Sequence, residues 1–425
     1  MYNINSDEWK RLGEEIDRRG GDGREVVKAL LEHYSIYNEK ILVWLGSLYD
    51  TDVGGFYYSK SGRLTDDERF LPDIESTEQA CNFLCAAGLV SSFTDEIPKE
   101  MCDRMANFVC SLQSDEDGFV YHPQWGKNIT TNRRGRDMVW ARQMANRLKI
   151  SLPYKTANER IAEATFGSET AKEKRSAMAS FPEHLTSKAA FTEYLEGFDW
   201  THGGYAPGNN VAAQMDQIVA AGLGECACDF LTQAQNKKSG LWGEDLCFAN
   251  IDGAFKISYI YNGAKRLIPN AEKIVLAATE CIARFEEETR HVCSLFNTWY
   301  TVINVIANIR RYGDAAMQRE ADMIISKLLL RAPSAIRATT KKISDFQKND
   351  GSFSFYKHET SCYSQGALVA VPNPDGTQPD EGDINATVIS STSLTSNIYS
   401  ALGLRDFSVK LYTPTDLKIF LDSIG

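Results

Sequence analysis

No stretch of about 18 consecutive apolar residues occurs in this sequence, so no segment reads as a membrane-spanning helix and no membrane partner is expected. Dense Lys/Arg runs are also missing. The net charge is −11 and the pI about 5.2, which argues against a nucleic-acid partner, because a polyanion needs a basic face. Residues Met1–Lys10 are polar and lack an apolar run ending in a cleavage site, so a cytoplasmic protein is expected. Cys226 and Cys228 form a CxC, and Cys81 and Cys85 sit one helical turn apart. Neither pair has a second CxxC or an HxxxH to complete a ligand set. No metal and no cofactor are therefore expected, and the ten cysteines read as buried thiols of a reducing compartment. Alternating strand-like runs between turn signals are nearly absent, which excludes a substantial β-sheet.

What the sequence does have is apolar residues at helical spacing through most of its length. With 43% hydrophobic and 24% charged residues, the chain can bury a sizeable core. At 425 residues it exceeds the usual size of one core, so either two domains or a closed repeat architecture is required. The spacing predicts helices over 24–48, 74–90, 98–112, 136–148, 157–195 (broken), 210–222, 225–235, 253–267, 271–287, 293–311, 315–346 (in two pieces), 385–402 and 414–423. Taken in pairs, they are joined internally by long Gly/aromatic-rich links: 49–73, 113–135, 196–209, 236–252 and 347–384. The links between pairs are short, as at Gly222–Gly224, Ile268–Asn270 and Tyr312–Asp314. Short links between antiparallel helices gather on one side of a ring and long ones on the other. Six pairs fit the length. The expectation is an all-α chain forming one domain over 1–425, a closed (α/α)6 toroid of alternating inner and outer helices.

An internal repeat supports this reading. Its units are DTDVGGF from Asp50 to Phe56, FVCSLQ from Phe108 to Gln113 running on to Gly118 and Phe119, FLTQAQ from Phe230 to Gln235 running on to Gly240 and Trp242, and FQKNDGSF from Phe346 to Phe353. Each is an apolar helix end, usually a Gln, a polar turn, a Gly and an aromatic. The Gly takes the left-handed conformation, the aromatic folds back on the helix end, and the Gln ties free carbonyls there. This pattern resembles the helix-end repeat of the α/α-toroid superfamily. That superfamily includes triterpene cyclases, prenyltransferase subunits, unsaturated glucuronyl hydrolases, epimerases and polysaccharide lyases. The resemblance implies the fold and leaves the chemistry to the residues.

In such a ring the first turns of the inner helices line the cavity. Those starts are Leu71–Glu78, Arg133–Asp137, Gly208–Gln214, Asn250–Lys256, Asn297–Tyr300 and Glu381–Asn385. Their Asp, Asn and Gln side chains can pair with vicinal hydroxyls, and Trp or Tyr can stack on a sugar ring. Each polar start also reads as a helix cap. What favours binding is the aromatic content of the loops: Tyr57, Tyr58, Phe119, Tyr121, Trp125, Trp200, Tyr205, Trp242, Trp299 and Tyr356. The densest constellation runs from Gly118 to Trp125 and on through Arg133, Arg134, Arg136, Asp137 and Trp140. There His122 and Tyr121 are candidate proton carriers, and the arginines can hold a carboxylate.

These readings nominate Asp73, Asp252, His122 and Tyr121 as catalytic residues. Glu75, Trp125, Arg136, Asn210, Gln214, Trp242, Lys256, Asn297, Tyr300 and Asn385 are nominated as substrate-binding. Asp73 and Glu75 lie two apart, on different faces of a helix, and are not expected to pair; Asp252 is the expected partner of Asp73. Glycosidic cleavage needs two carboxylates about 5 to 10 Å apart. The leading expectation is acid/base hydrolysis of an oligosaccharide, including one that contains a uronic acid, which resembles the unsaturated glucuronyl hydrolases. A lyase would neutralise the uronate with Asn or Arg (Asn209, Asn210, Asn297, Arg136) and abstract a proton with Tyr or His (Tyr121, Tyr300, His122). A cyclase-like reading lacks the full acid motif, since Asp50-Thr51-Asp52-Val53 has no final Asp. A non-catalytic binding module would use the same cleft.

Overall fold

The computed structural model describes residues 6–156, 159–160, 182–202, 204–284 and 288–425. Residues 1–5 of the polar N-terminal stretch, most of the helix expected over 157–195, residue 203 of the 196–209 link and the end of the helix expected over 271–287 lie outside them. The described chain is predominantly helical. Its strands are two antiparallel two-residue pairs, Tyr49–Asp50 with Gly55–Phe56 and Tyr363–Ser364 with Ala367–Leu368. No described helix is long and apolar enough to cross a membrane. The chain divides into two compact units. One comprises Met1–Ile36, Ala179–Ser344 and Ser393–Val409; the other comprises Tyr37–Met178, Asp345–Thr392 and Lys410–Gly425.

In the first unit the helices Phe248–Gly263 and Cys293–Tyr312 pack side by side, and Ala271–Ala283 packs on both Cys293–Tyr312 and Ala315–Ser344. The last of these is one continuous helix rather than the expected two pieces, although Pro333 lies inside it. A proline there removes one ladder bond and crowds the preceding turn. The buried stripe Ile324, Leu328, Leu329, Ala332, Ala335, Ile336, Thr339 and Ile343 runs through that point unbroken, and its burial offsets the defect. Conversely, the helix expected over 24–48 is two, Gly23–Tyr34 and Lys40–Ser47, separated where the Asn38 carboxamide accepts from the Lys40 amide. Gly23 is required by close approach: a Cβ there would lie 2.2 Å from the Gly13 carbonyl oxygen.

The second unit centres on the helix Ile74–Ala86, packed between Thr131–Leu148 and the short Ile384–Val388. Two copies of one local design meet on it. The Asp73 amide donates to Phe56 O, the Phe56 amide donates to Thr77 Oγ1, and Asp73 caps its helix by accepting from the Ser76 amide. The same bonds recur with Asp383, Phe353, Thr387 and Ala386.

The helix-end repeat has the expected physics. Gly54, Gly118, Gly240 and Gly351 have φ of 84, 75, 76 and 86°. Gln113 Nε2 donates to Gly118 O and Tyr154 O, and Gln235 Nε2 donates to Gly240 O and Pro269 O. Each Gln thus fastens its own turn to the next segment. Trp242 folds back so that its indole N–H donates to Leu231 O at the end of Gly224–Ala234.

Trp299 is a large anchor of the first unit, fully buried with its indole N–H on Thr339 Oγ1 at 3.0 Å. Trp299→Ala leaves a cavity, while the Thr339 hydroxyl keeps its bond to Ala335 O, and is expected to lower stability by about 3–5 kcal/mol. Urea denaturation followed by circular dichroism measures it.

Candidate functional site

The second unit buries one guanidinium against three carboxyl groups. Arg133 is 0% exposed. Its Nη1 donates to Glu75 Oε2 at 2.7 Å, its Nε to Asp137 Oδ1 at 2.8 Å and its Nη2 to Asp73 Oδ1 at 3.3 Å. Nη1 also donates to Ser364 O at 3.0 Å. The rings of Trp125 and Trp140 lie 5.1 and 5.4 Å from the guanidinium carbon. Each local element supplies one part. Asp73 is the extended N-cap of Ile74–Ala86, Glu75 lies in that helix's first turn, and Arg133 and Asp137 are an i, i+4 pair on Thr131–Leu148.

The expectation that Asp73 and Glu75 lie on different faces of a helix is therefore corrected in its geometry. Asp73 has φ −119° and ψ 161°, so it precedes the helix and turns back to the same guanidinium as Glu75. Ser364 arrives from the hairpin Tyr363–Leu368, whose turn residues Gln365 and Gly366 have φ of 52 and 87°, the left-handed pair of a tight hairpin. The Ser364 hydroxyl donates to Glu75 Oε2 at 2.7 Å.

Three carboxyls face one cation, so the cluster holds protons. Burial raises Glu75 to about 7 against the opposing pull of Arg133, and burial raises Asp137 to about 7 likewise. Burial acts to lower the Arg133 pKa, but Asp73, Glu75 and Asp137 outweigh it and keep the guanidinium charged. Asp137 Oδ2 is buried and has no hydrogen-bond partner among the described residues. Beside the cluster, burial raises Asp383 to about 6; it caps Ile384–Val388 by accepting from the Ala386 amide, and also accepts from Thr360 Oγ1.

Toward the edge of the site, Gln79 Nε2 donates to Glu75 Oε1 and to Asn385 Oδ1, both at 3.3 Å. Glu75 and Asn385 occupy the same place in the two copies of the local design. Gln79, Asn385 and Trp140 are half-buried, and Arg136 is exposed with its charge acting on Glu75.

Other nominated residues have different surroundings. His122 is buried and stacked on Trp125, with ring centres 4.1 Å apart. Its Nδ1 accepts from the Gln124 amide, so its Nε2–H donates to Pro72 O, and burial lowers its pKa. It is held as a neutral imidazole that pins the loop. The Tyr121 hydroxyl donates to Asp117 Oδ2 at 2.7 Å, with the Lys127 ammonium over its ring. In the first unit, Asn297 Nδ2 donates to Asp252 Oδ1 at 2.9 Å, with Lys256 and Tyr300 nearby. Burial raises Asp252 to about 7. Gln214 is bonded to His184 and to the Tyr194 hydroxyl, Asn210 is exposed with its carbonyl accepting from Gln214, and Trp242 is fully buried against its own helix end. Of the loop aromatics, Tyr57, Tyr58, Trp200, Trp242 and Trp299 are buried, because they fold back as core rather than lining an open groove.

Ser364 and Gln79 were not nominated. The pairing of Ser364 with Arg133 spans 231 residues, which no local pattern announces. Among the described residues no group of His, Cys, Asp and Glu is arranged to hold a metal ion. Compared with protein-family models, with curated proteins and with solved structures, the chain matches none of them.

Two outcomes follow from the cluster. Folding raises Glu75 and Asp137 above their ordinary values of 4.5 and 3.8, so the stabilisation by bound protons is complete below about pH 4 and is lost as pH rises through about 7. Thermal melting should fall between pH 6 and 8, and Glu75→Gln should flatten that slope. Arg133→Met strands three buried carboxyls and is expected to cost about 3–5 kcal/mol, read by urea denaturation at neutral pH.

Proposed function

We propose that this chain is a carbohydrate-active enzyme that cleaves glycosidic bonds in an oligosaccharide by acid/base catalysis, on a closed (α/α)6 helical ring. The observation that carries this reading is the convergence of Asp73, Glu75 and Asp137 on Arg133 between two tryptophans. Glycosidic cleavage asks for two carboxyl groups in different protonation roles beside a surface that stacks on sugar.

Glu75 is the acid. Burial keeps its proton to about pH 7, and the Gln79 amide is bonded to its Oε1 on the half-buried side of the cluster. Its proton passes to the departing glycosidic oxygen. Asp73, held by Arg133 and by the amide and hydroxyl of Ser76, receives the proton of the attacking water. Gln79, Asn385 and Arg136 bind hydroxyl or carboxylate groups of the sugar, and Trp140 offers a ring to its apolar face. The helix-end repeat and its Gln clamps support the ring architecture. The ten cysteines, held as thiols, support a reducing compartment, the cytoplasm. The acidic net charge speaks against nucleic acid as substrate.

A panel of oligosaccharides, uronate-containing ones among them, tests the reaction, with reducing ends reporting hydrolysis and ultraviolet absorbance reporting the new double bond of a lyase. On the substrate so found, Glu75→Gln is expected to lower kcat by about 10²–10⁴-fold with helicity unchanged. Turnover that persists at the wild-type rate in Glu75→Gln, or a product carrying a new double bond, overturns the reading.

A further inference from the structure

A second cluster lies wholly within the unit that contains Phe248–Gly263 and Cys293–Tyr312, and the proposed reaction makes no use of it. Asp252 stands one turn into the first of these helices and is 8% exposed. Its Oδ1 takes the Asn297 amide from the second helix. One turn beyond Asp252, Lys256 is half-buried, with its ammonium 4.9 Å from the centre of the Tyr205 ring and 5.0 Å from that of Phe255. Asp252 feels that charge.

Aromatic rings continue the surface. Tyr300 meets Phe255 edge-on at 5.5 Å and stacks on Phe296 at 5.6 Å, while Tyr259 meets Phe255 at 5.2 Å. Tyr205 and Tyr259 are 41% and 37% exposed. The two helices are held side by side by three carboxamide hydrogen bonds, from Asn297 to Asp252, Asn304 to Ser258 and Asn308 to Asn262.

The chemistry selects a ligand class. An ammonium beside a carboxyl that burial keeps protonated to about pH 7 presents hydrogen-bond donors from both groups, a combination suited to an anion. The adjoining tyrosine rings suit the flat face of a six-membered ring. We propose that this face is a second ligand site, which binds a six-membered ring bearing a carboxylate, with the carboxylate at Lys256 and the ring against Tyr205, Tyr259 and Tyr300. A sugar acid and an aromatic acid share that chemistry.

Titration calorimetry of the full chain carrying Arg136→Met, which removes the cation offered to a sugar carboxylate at the Arg133 cluster, with glucuronate, glucose and benzoate tests the proposal and needs no turnover, so it stands or falls apart from the reaction proposed above. Glucuronate is expected to bind saturably and at least tenfold more tightly than glucose. Lys256→Met should abolish that preference, about the tenfold loss of one charge-assisted bond, while Lys256→Arg retains it. Tyr259→Ala, at an exposed position, should weaken the carboxylated ring without altering helicity. Benzoate binding as tightly as glucuronate identifies an aromatic acid as the occupant and supports the same site. Absence of saturable binding by either carboxylate, or binding undiminished in Lys256→Met, overturns it.

Discussion

The buried guanidinium of Arg133 is the constraint on which the second unit is built. A cation removed from water needs compensation in every direction, and Arg133 finds it in Asp73, Glu75, Asp137, the Ser364 carbonyl and two indole faces. Those partners come from the start of one helix, the body of a second, the loop before that second helix and the tip of a hairpin. Satisfying one side chain therefore fixes four segments at once. The arrangement overshoots in charge, with three carboxyls to one cation, and the excess is relieved by protons retained on Glu75 and Asp137. A group needed to fasten the fold thereby becomes a group able to donate a proton near neutrality.

The duplicated Asp-Ile-x-x-Thr segments show how local grammar and chemistry separate. In both, the Asp caps a helix and the Thr hydroxyl accepts from the amide of a phenylalanine. These bonds fix the backbone and leave the third residue of each segment free to vary. One copy carries Glu75 and the other Asn385, and Gln79 bridges the two. Glu75 is thus one member of a duplicated frame whose other copy carries the non-titrating Asn385.

Asp252 reaches a similar pKa by a simpler route. It has one amide donor, one lysine a turn away and a largely apolar, aromatic surround, so burial alone does most of the work. The Arg133 cluster is heavily cross-bonded, with half-buried Gln79, Asn385 and Trp140 at its edge, whereas the face around Asp252 retains exposed tyrosines.

Much of the local structure was legible in the sequence. Helical periodicity announced an all-helical chain, because a stripe of apolar residues at that spacing has few other ways to be buried. The Gln-to-aromatic repeat announced its turns, because only glycine takes φ near 80° without strain and the neighbouring Gln has only local carbonyls to serve. Polar helix starts located Asp73, Glu75, Asp252 and Asn297. The sequence could not say which of the three arginines near position 135 turns inward, since Arg133, Arg134 and Arg136 differ only in the face each takes once the helix docks. Nor could it bring Ser364 to Glu75 across 289 residues, or withdraw His122 and Trp242 into backbone bonds. Periodicity and capping act within a few residues and survive translation into sequence. Burial of charge depends on what arrives from elsewhere in the chain, and only the packed structure decides it.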